Sequence, residues 1–516
     1  MSRISKSHIA VLLAIGAIVP MQSLGPRPGL AETVGNGVAN GFAATAISDP
    51  AAGPAGTTAI GGIAIGPDSS ARTQDATHPC TGSPPFTNCG HGNIAIGISS
   101  GATNDFAIAV GFLSKATAIH SSAIGSNTNA VGSGSFAAGF GTTANGIISI
   151  AIGNSSFAAD AAVALGSQAN ASGGGAIAMG QGTTATGSGS FAAGTSANSA
   201  GNNSIAIGTN ASTFNPGNKV GALGAVAMGQ SADARADRST AVGQVAFANA
   251  ADSSAYGSHS GAGGKESSAY GNRSAANGTG SSAYGNGSIA NAADSTAVGS
   301  KAEANGITSA AFGSSATANA DNTLALGTSS KATQTNGMAF GVNANSTGFG
   351  SIAVGPGAQA TAAAALAIGD GAHASQTGAL AIGLSAQSTG NSTIAIGTNT
   401  IATNSVAVGT AAMASNGGAA YGDGAKATGS LATALGPNAS TTAANAVAIG
   451  SGSVANEDDS LSVGAPDNQR RITNVAAGTA ASDAATVGQV AILRAQIEDL
   501  RRECGVPART ARTGGE

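Results

Sequence analysis

A tetrapeptide closing on glycine, such as Ile205-Ala206-Ile207-Gly208, recurs along most of this chain at a spacing of fourteen residues. From Gly229 to Gly397 the series runs in twelve unbroken steps, and further copies from Gly66 to Gly464 bring the number of turns to about 28. A short fixed period is the mark of a stacked array, in which each repeat touches only its neighbours. Within a repeat, small residues alternate with polar ones, as in Ser300-Lys301-Ala302-Glu303-Ala304-Asn305-Gly306. Alternation by two is strand periodicity, and no stripe at 3.6 residues runs through the repeats. Each unit is therefore expected to be two short strands joined by Gly, Asn and Ser turns, in an all-β solenoid.

The residues flanking the central alanine vary in size together. Ser254/Tyr256, Ser268/Tyr270, Ser282/Tyr284, Ala310/Phe312 and Ala419/Tyr421 pair small with aromatic, while Phe136/Ala138 and Phe191/Ala193 reverse the order. Met338/Phe340, both large, and Thr240/Val242, both modest, depart from the rule. A near-constant summed volume suggests that both side chains point into one tight interior. The alanine between them then lies on the opposite face with the glycine, where water would accept almost any polar residue. Two readings follow: strand-edge packing within the chain, or a small-residue strip against neighbouring subunits. For the second, Ala206, Ala395 and Ala448 stand as interface candidates.

Composition agrees with a thin body. Aromatic residues are 3% of 516, Trp is absent and Gly numbers 80, so a wide globular core is hard to build. A net charge of −4 with 9% charged residues leaves no electrostatic footprint for nucleic acid and no polybasic membrane patch.

Residues 1–31 read as a secretory signal peptide: Arg3 and Lys6, then the apolar run Ile9 to Val19, then Gly29-Leu30-Ala31. The run is too short to span a bilayer. Residues 32–58 read as a cap region or degenerate first turns, and 59–464 as the repeat body, with insertions near 67–93 and 209–222. In the first insertion Pro79, Pro84 and Pro85 forbid regular strand, so it loops out. Cys80 and Cys89 within it most simply close a disulfide in an exported chain; the alternative is a zinc site with the flanking His78 and His91, although no Cys-x-x-Cys hairpin is present. In the second, Phe214 to Lys219 supply extra residues on one side.

After Gly464 the period breaks. Ser482-Asp483 offers a helix N-cap, and Val490, Leu493, Ile497, Leu500 and Cys504 follow at spacings of three and four. With Arg494 and Glu498 a turn apart, 490–504 reads as a short coiled coil, the alternative being an amphipathic helix folded back on the repeats. Two heptads are marginal alone and imply a partner. Cys504 on the seam is a candidate for an interchain disulfide, and 505–516 reads as a disordered tail.

No catalytic, metal or cofactor constellation is expected. His8, His78, His91, His120, His259 and His373 do not cluster, and no Gly-rich stretch ends in Gly-Lys-Ser/Thr before a helix. An enzyme is therefore disfavoured.

The Ser122-Ala123-Ile124-Gly125 type of unit resembles the head repeat of the trimeric autotransporter adhesins of Gram-negative bacteria, YadA-like in its period. The stretch Arg471 to Thr479 followed by Asp483-Ala484 and Val487 to Val490 is similar to the family's neck, with Ile472, Thr473, Asn474, Val475 and Gly478 as its matching residues, so 465–489 is taken as neck. The resemblance implies a left-handed parallel β-roll assembled as a homotrimer and carried onto a coiled coil. It also implies a role in cell-surface or matrix attachment, where avidity along a repeated surface replaces an active site. The unknown extracellular ligand would be a matrix protein or a polysaccharide. One departure is expected to matter: the stretch after Cys504 holds no alternating apolar strands for the family's membrane anchor, which points to a released chain, a truncated relative or a separate membrane-anchored partner. The rival reading is a stand-alone secreted solenoid that binds polysaccharide or ice without catalysis.

Overall fold

The computed structural model describes residues 62–71, 92–217 and 220–505, with the backbone of four earlier strands, Glu32–Val34, Gly37–Asn40, Thr45–Ile47 and Thr57–Ile60. The expected signal peptide, Cys80, Cys89, His78, His91 and nearly all of the expected tail lie outside the described residues. Two compact units, 1–335 and 336–516, are built on one plan.

Each fourteen-residue repeat makes one coil with a three-residue strand and a two-residue strand, for example Ser282–Tyr284 and Ile289–Ala290. Each strand pairs in parallel with its counterpart one repeat away, Ser268↔Ser282 in one sheet and Ala275↔Ile289 in the other. The result in each unit is a parallel β-solenoid of two sheets, as the periodicity predicts. The early strands join the same ladders, with Thr45 opposite Ile63 and Thr58 opposite Ser70. Gly62–Ile65 pairs directly with Asn93–Ile96, and Ser70–Ala71 with Gly101–Ala102, so the first insertion leaves both ladders unbroken. At the second insertion Phe214–Asn215 pairs antiparallel with Val220–Gly221 as a small hairpin, and only single bridges, Asn198↔Ser212 and Ser212↔Asp233, carry the two-residue-strand sheet past it.

The side chains face the opposite way from the sequence expectation. The central alanines are the core: Ala206, Ala395 and Ala448 are each 0% exposed within one chain, so none can be a subunit contact. Their flanking apolar residues point outward, half-buried at Ile205 and Ile207 and 42% exposed at Ile124. The body that approaches the alanine so closely is the other sheet of its own coil, whose inward residue is again small, such as Ala276 or Ala290. A solenoid this thin has no room inside for Ile or Tyr.

The true structural unit is seven residues. Ser-x-Ala recurs inward at Ser253/Ala255, Ser260/Ala262, Ser267/Ala269, Ser274/Ala276 and Ser281/Ala283, once per half-coil, with every member buried. Most of these serines satisfy their hydroxyl locally: Ser267 Oγ donates to Gly264 O at 2.6 Å and Ser274 Oγ to Gly271 O at 2.9 Å, while Ser281 Oγ is buried without a partner. A buried hydroxyl without such a partner would cost roughly 1–3 kcal/mol. Where the inward alanine of the short strand becomes Ser, a second bond spans the core, as between Ser346 and Ser351 at 2.7 Å.

Each half-coil turns through a residue in the left-handed region, again every seven positions: Arg273 at φ 55, Gly280 at 66, Gly287 at 63, Asp294 at 55. The glycine that closes the tetrapeptide has a second reason for its identity. At Gly271 φ is +132, and a Cβ would stand 2.4 Å from Gly285 O in the next coil.

Two outcomes follow from this packing. Ala395→Leu forces a larger side chain between the sheets and is expected to destabilise the coil by about 1–3 kcal/mol, read as a lowered midpoint in thermal unfolding by circular dichroism. Ile148 is 70% exposed and sits at φ 54, a region costly for a β-branched residue. Ile148→Asn is expected to stabilise the fold by about 1 kcal/mol; an unchanged or lower melting midpoint would contradict the strain.

Candidate interaction face

The two sheets present different exteriors. On the three-residue strands both outward rows are predominantly apolar and in register from coil to coil, Ile205 opposite Val226 and Ile207 opposite Met228. The first row carries Ser or Thr at Ser122, Thr240, Ser254, Ser268, Ser282, Thr296 and Thr433. In the first unit Met179 is 42% exposed and Leu326 43%; in the second, Leu435 is 46%. On the two-residue strands the outward row is mostly polar, with Glu303, Thr317 and Lys331 in one unit and Gln359, His373 and Gln387 in the other, interrupted by Phe157, Phe247, Ile289, Ile401, Met413 and Val454. Scattered exposed apolar residues need no explanation, but a contiguous apolar face marks an interaction site. Sequence reasoning missed this face because it placed these residues inside; the seven-residue Ser-x-Ala spacing was the available signal.

Several ladders decorate the first unit. Tyr256, Tyr270 and Tyr284 stack along the apolar face with ring centroids 4.8 and 5.0 Å apart. Burial and the neighbouring tyrosines push the Tyr270 hydroxyl above its usual pKa. Along another edge Asn277, Asn291, Asn305 and Asn319 form a chain of amide bonds of 2.8, 2.7 and 2.8 Å. Arg238 donates to both carboxylate oxygens of Asp252, at 2.5 and 2.8 Å, and holds that carboxyl below its usual range. Both groups are solvent-facing, so the pair contributes little.

The expected neck and helix are one connected piece. A helix spans Val487–Glu503, one turn later than expected, because Thr486 is its N-cap, with a capping box to Gln489. Asp483 instead closes the preceding turn, accepting from the Thr479 and Ala480 amides at 2.8 and 2.9 Å. Gln489 also clasps Gly478, donating to its carbonyl at 2.8 Å and accepting from its amide at 3.0 Å. Arg470 ties the neck to the last coil through Ser453 Oγ and Val463 O, both at 2.8 Å. Ile472 is 66% exposed and Thr473, Asn474 and Val475 are exposed beside it. No helix residue is buried, and Val490, Leu493, Ile497 and Leu500 stand exposed at the spacing of one seam. The helix's described ion pairs are Glu498–Arg501 and Asp499–Arg502. Cys504 is a free, exposed thiol at the C-cap.

Among the described residues no three His, Cys, Asp or Glu side chains gather in a way that could hold a metal ion. No helix there is long and apolar enough to cross a membrane.

The Ala480 and Thr479 amides hold the Asp483 carboxyl below its usual range. Its contribution to the neck turn is thus complete above the ordinary Asp pKa, about 3.9, and is lost as pH falls through the lower folded value. In isotope-labelled protein the Thr479 and Ala480 amide shifts are expected to titrate with a midpoint below that value, and Asp483→Asn to abolish the titration; a midpoint at or above it would contradict the pairing.

The YadA head domain repeat model matches this chain in a succession of segments: 94–114, 102–128, 116–142, 158–183, 185–211, 222–246, 234–260, 276–302, 304–330, 318–344, 346–372, 374–400, 427–453 and 442–465. Together they cover more than half of its length. Among solved structures the chain is similar to the collagen-binding domain of the Yersinia adhesin YadA, at 28% identity over 38% of this chain and 86% of that domain, with a TM-score of 0.23. No curated protein matches it. The repeat matches, recurring through both parallel-sheet units, place this chain in the YadA head-repeat family.

Proposed function

We propose that this protein is the exported head of a homotrimeric adhesin, in which three copies bring together the apolar faces of their three-residue-strand sheets and turn their polar sheets to the surroundings. The observation that carries this reading is the difference between the two exteriors, predominantly apolar on the three-residue strands and predominantly polar on the two-residue strands in both units. A row pair of Ile, Val, Leu, Met and Tyr open to water along so many coils would be an aggregation hazard. Closing three such faces on one another removes them from water and leaves the repeated polar face free for ligand.

The exposed helix supports the same arrangement. Val490, Leu493, Ile497 and Leu500 stand exposed among the described residues, and a short parallel coiled coil below the heads would cover them. Cys504 at its end would then lie near the symmetry axis. Attachment to a matrix protein or polysaccharide would arise from many weak contacts along three identical surfaces. Export rests on the leader-like residues 1–31. A monomeric solenoid that binds polysaccharide is the second reading, favoured by the regular exposed ladders of Tyr256–Tyr284 and Asn277–Asn319.

The test is the solution mass by light scattering, with and without reductant. A three-chain particle is expected, with Cys504 reporting itself through any change on reduction; a monomer would favour the second reading. Ile394→Lys with Ile396→Lys is expected to shift the particle to single chains with β-structure retained in circular dichroism, while Asn399→Lys on the same coil leaves the mass unchanged. Equal masses for the two variants would sink the apolar face as the contact.

A further inference from the structure

The paired sizes of the outward residues call for a physical cause that their exposure removes. Ser268 and Tyr270, or Phe191 and Ala193, lie on the water-facing side of one strand. Solvent places no limit on their summed volume, and only a closed, packed space does. The second body must meet both rows at once and must itself be small where the chain is large. A second copy of the same chain meets that demand, provided that the first outward row of one copy faces the second outward row of the next at the same coil.

Resting on the trimer reading, we infer that these rows are keyed to one another across copies: the first-row residue of a coil packs against the second-row residue of the same coil in a neighbour, and the mixed-size coils set the axial register of the assembly. The contact joins two different rows, so it is heterologous; because the matching coils lie at one level, it carries no rise and closes into a ring.

Register is a real problem for a repeated surface. A slip of one coil, about 4.8 Å, leaves most contacts equivalent, since neighbouring coils such as Leu366/Ile368, Leu380/Ile382 and Ile394/Ile396 present interchangeable residues. The mixed-size coils break the degeneracy. After a slip in one direction, Phe312 would face Leu324 in place of Ala310, and Tyr284 would face Thr296 in place of Ser282, while Val242 would face Ser254 across a void. Displacing one copy of the ring by a coil therefore puts overpacked and underpacked contacts at both interfaces it makes, in opposite directions. In the same way, a few distinctive residues choose among registers in coiled coils.

Hydroxyls follow the same pairing. Tyr256, Tyr270 and Tyr284 share their coils with Ser254, Ser268 and Ser282, whereas Phe312 shares its coil with Ala310; Ala419/Tyr421 is the exception. None of those six hydroxyls has a hydrogen-bond partner among the described residues. Keyed packing gives each tyrosine a serine on the facing copy and leaves the phenylalanine no hydroxyl to strand in an apolar contact.

Exchange within one coil tests this. Phe191→Ala alone opens a void and Ala193→Phe alone overpacks, but the double variant Phe191→Ala/Ala193→Phe restores the sum. Expected are two singles with lowered trimer dissociation temperatures, a double that recovers toward wild type, and a strongly non-additive cycle. When the double variant is co-expressed with wild type under distinct tags, native mass spectrometry should find two homotrimers, with mixed trimers depleted about tenfold below random. Ser268→Tyr/Tyr270→Ser is an independent exchange on the tyrosine ladder, should the first pair fail to fold. Additive singles, random mixing, or folded doubles that do not trimerise would each overturn the keying while wild type remains a trimer. A monomeric wild type would instead remove the trimer reading on which it rests.

Discussion

The spacing between the two sheets of each coil governs everything else in this molecule. Small residues fill the gap, mostly alanine and serine, as at Ala206, Ala276 and Ser267, with threonine at positions such as Thr128 and Thr183, and all of these are fully buried. A core of methyl groups and short hydroxyls supplies little apolar burial per residue. The structure compensates by repetition and by backbone: coils hydrogen-bond to their neighbours along parallel ladders, and many inward serines donate to a carbonyl three residues earlier, as at Ser267, Ser274 and Ser288, whereas Ser135, Ser156, Ser190 and Ser281 are buried without a partner. Enlarging an inward residue anywhere would pry apart both sheets.

A core that thin expels the large side chains, and their placement is selective. Ile, Val, Leu, Met and Tyr collect on the exterior of one sheet, while Glu303, Lys331 and Gln387 mark the other. Each sheet exterior therefore has its own chemistry, one predominantly apolar and one predominantly polar. The corners contribute a further layer. Because each must pass through the left-handed region, Asn, Asp, Ser and Gly dominate there, and the bulky exceptions such as Ile148 and Leu113 carry backbone strain.

The C-terminal region obeys a different economy, with no buried side chain in its helix and order supplied by polar clasps. Gln489 links the helix start to Gly478, and Arg470 links the neck to the final coil. These bonds orient exposed apolar residues without covering them. The helix seam and the apolar sheet face thus share one property, apolar side chains left exposed among the described residues.

Sequence by itself determined the class of fold. The fourteen-residue period, the alternation by two and the scarcity of aromatics required a thin stack of short strands, and Val490 to Leu500 required a helix. The direction in which each side chain faces was decided only by tertiary structure. A strand's alternation defines two faces but not which one lies inside, and the usual rule that large apolar residues go inward fails when the sheets close to alanine distance. The same applies at Asp483, a suitable N-cap by type that the folded neck uses for a turn, leaving Thr486 to cap the helix. Local residue preferences set what each segment can become; the separation of the two sheets, a property of the whole coil, settled which residues meet the core and which meet the outside.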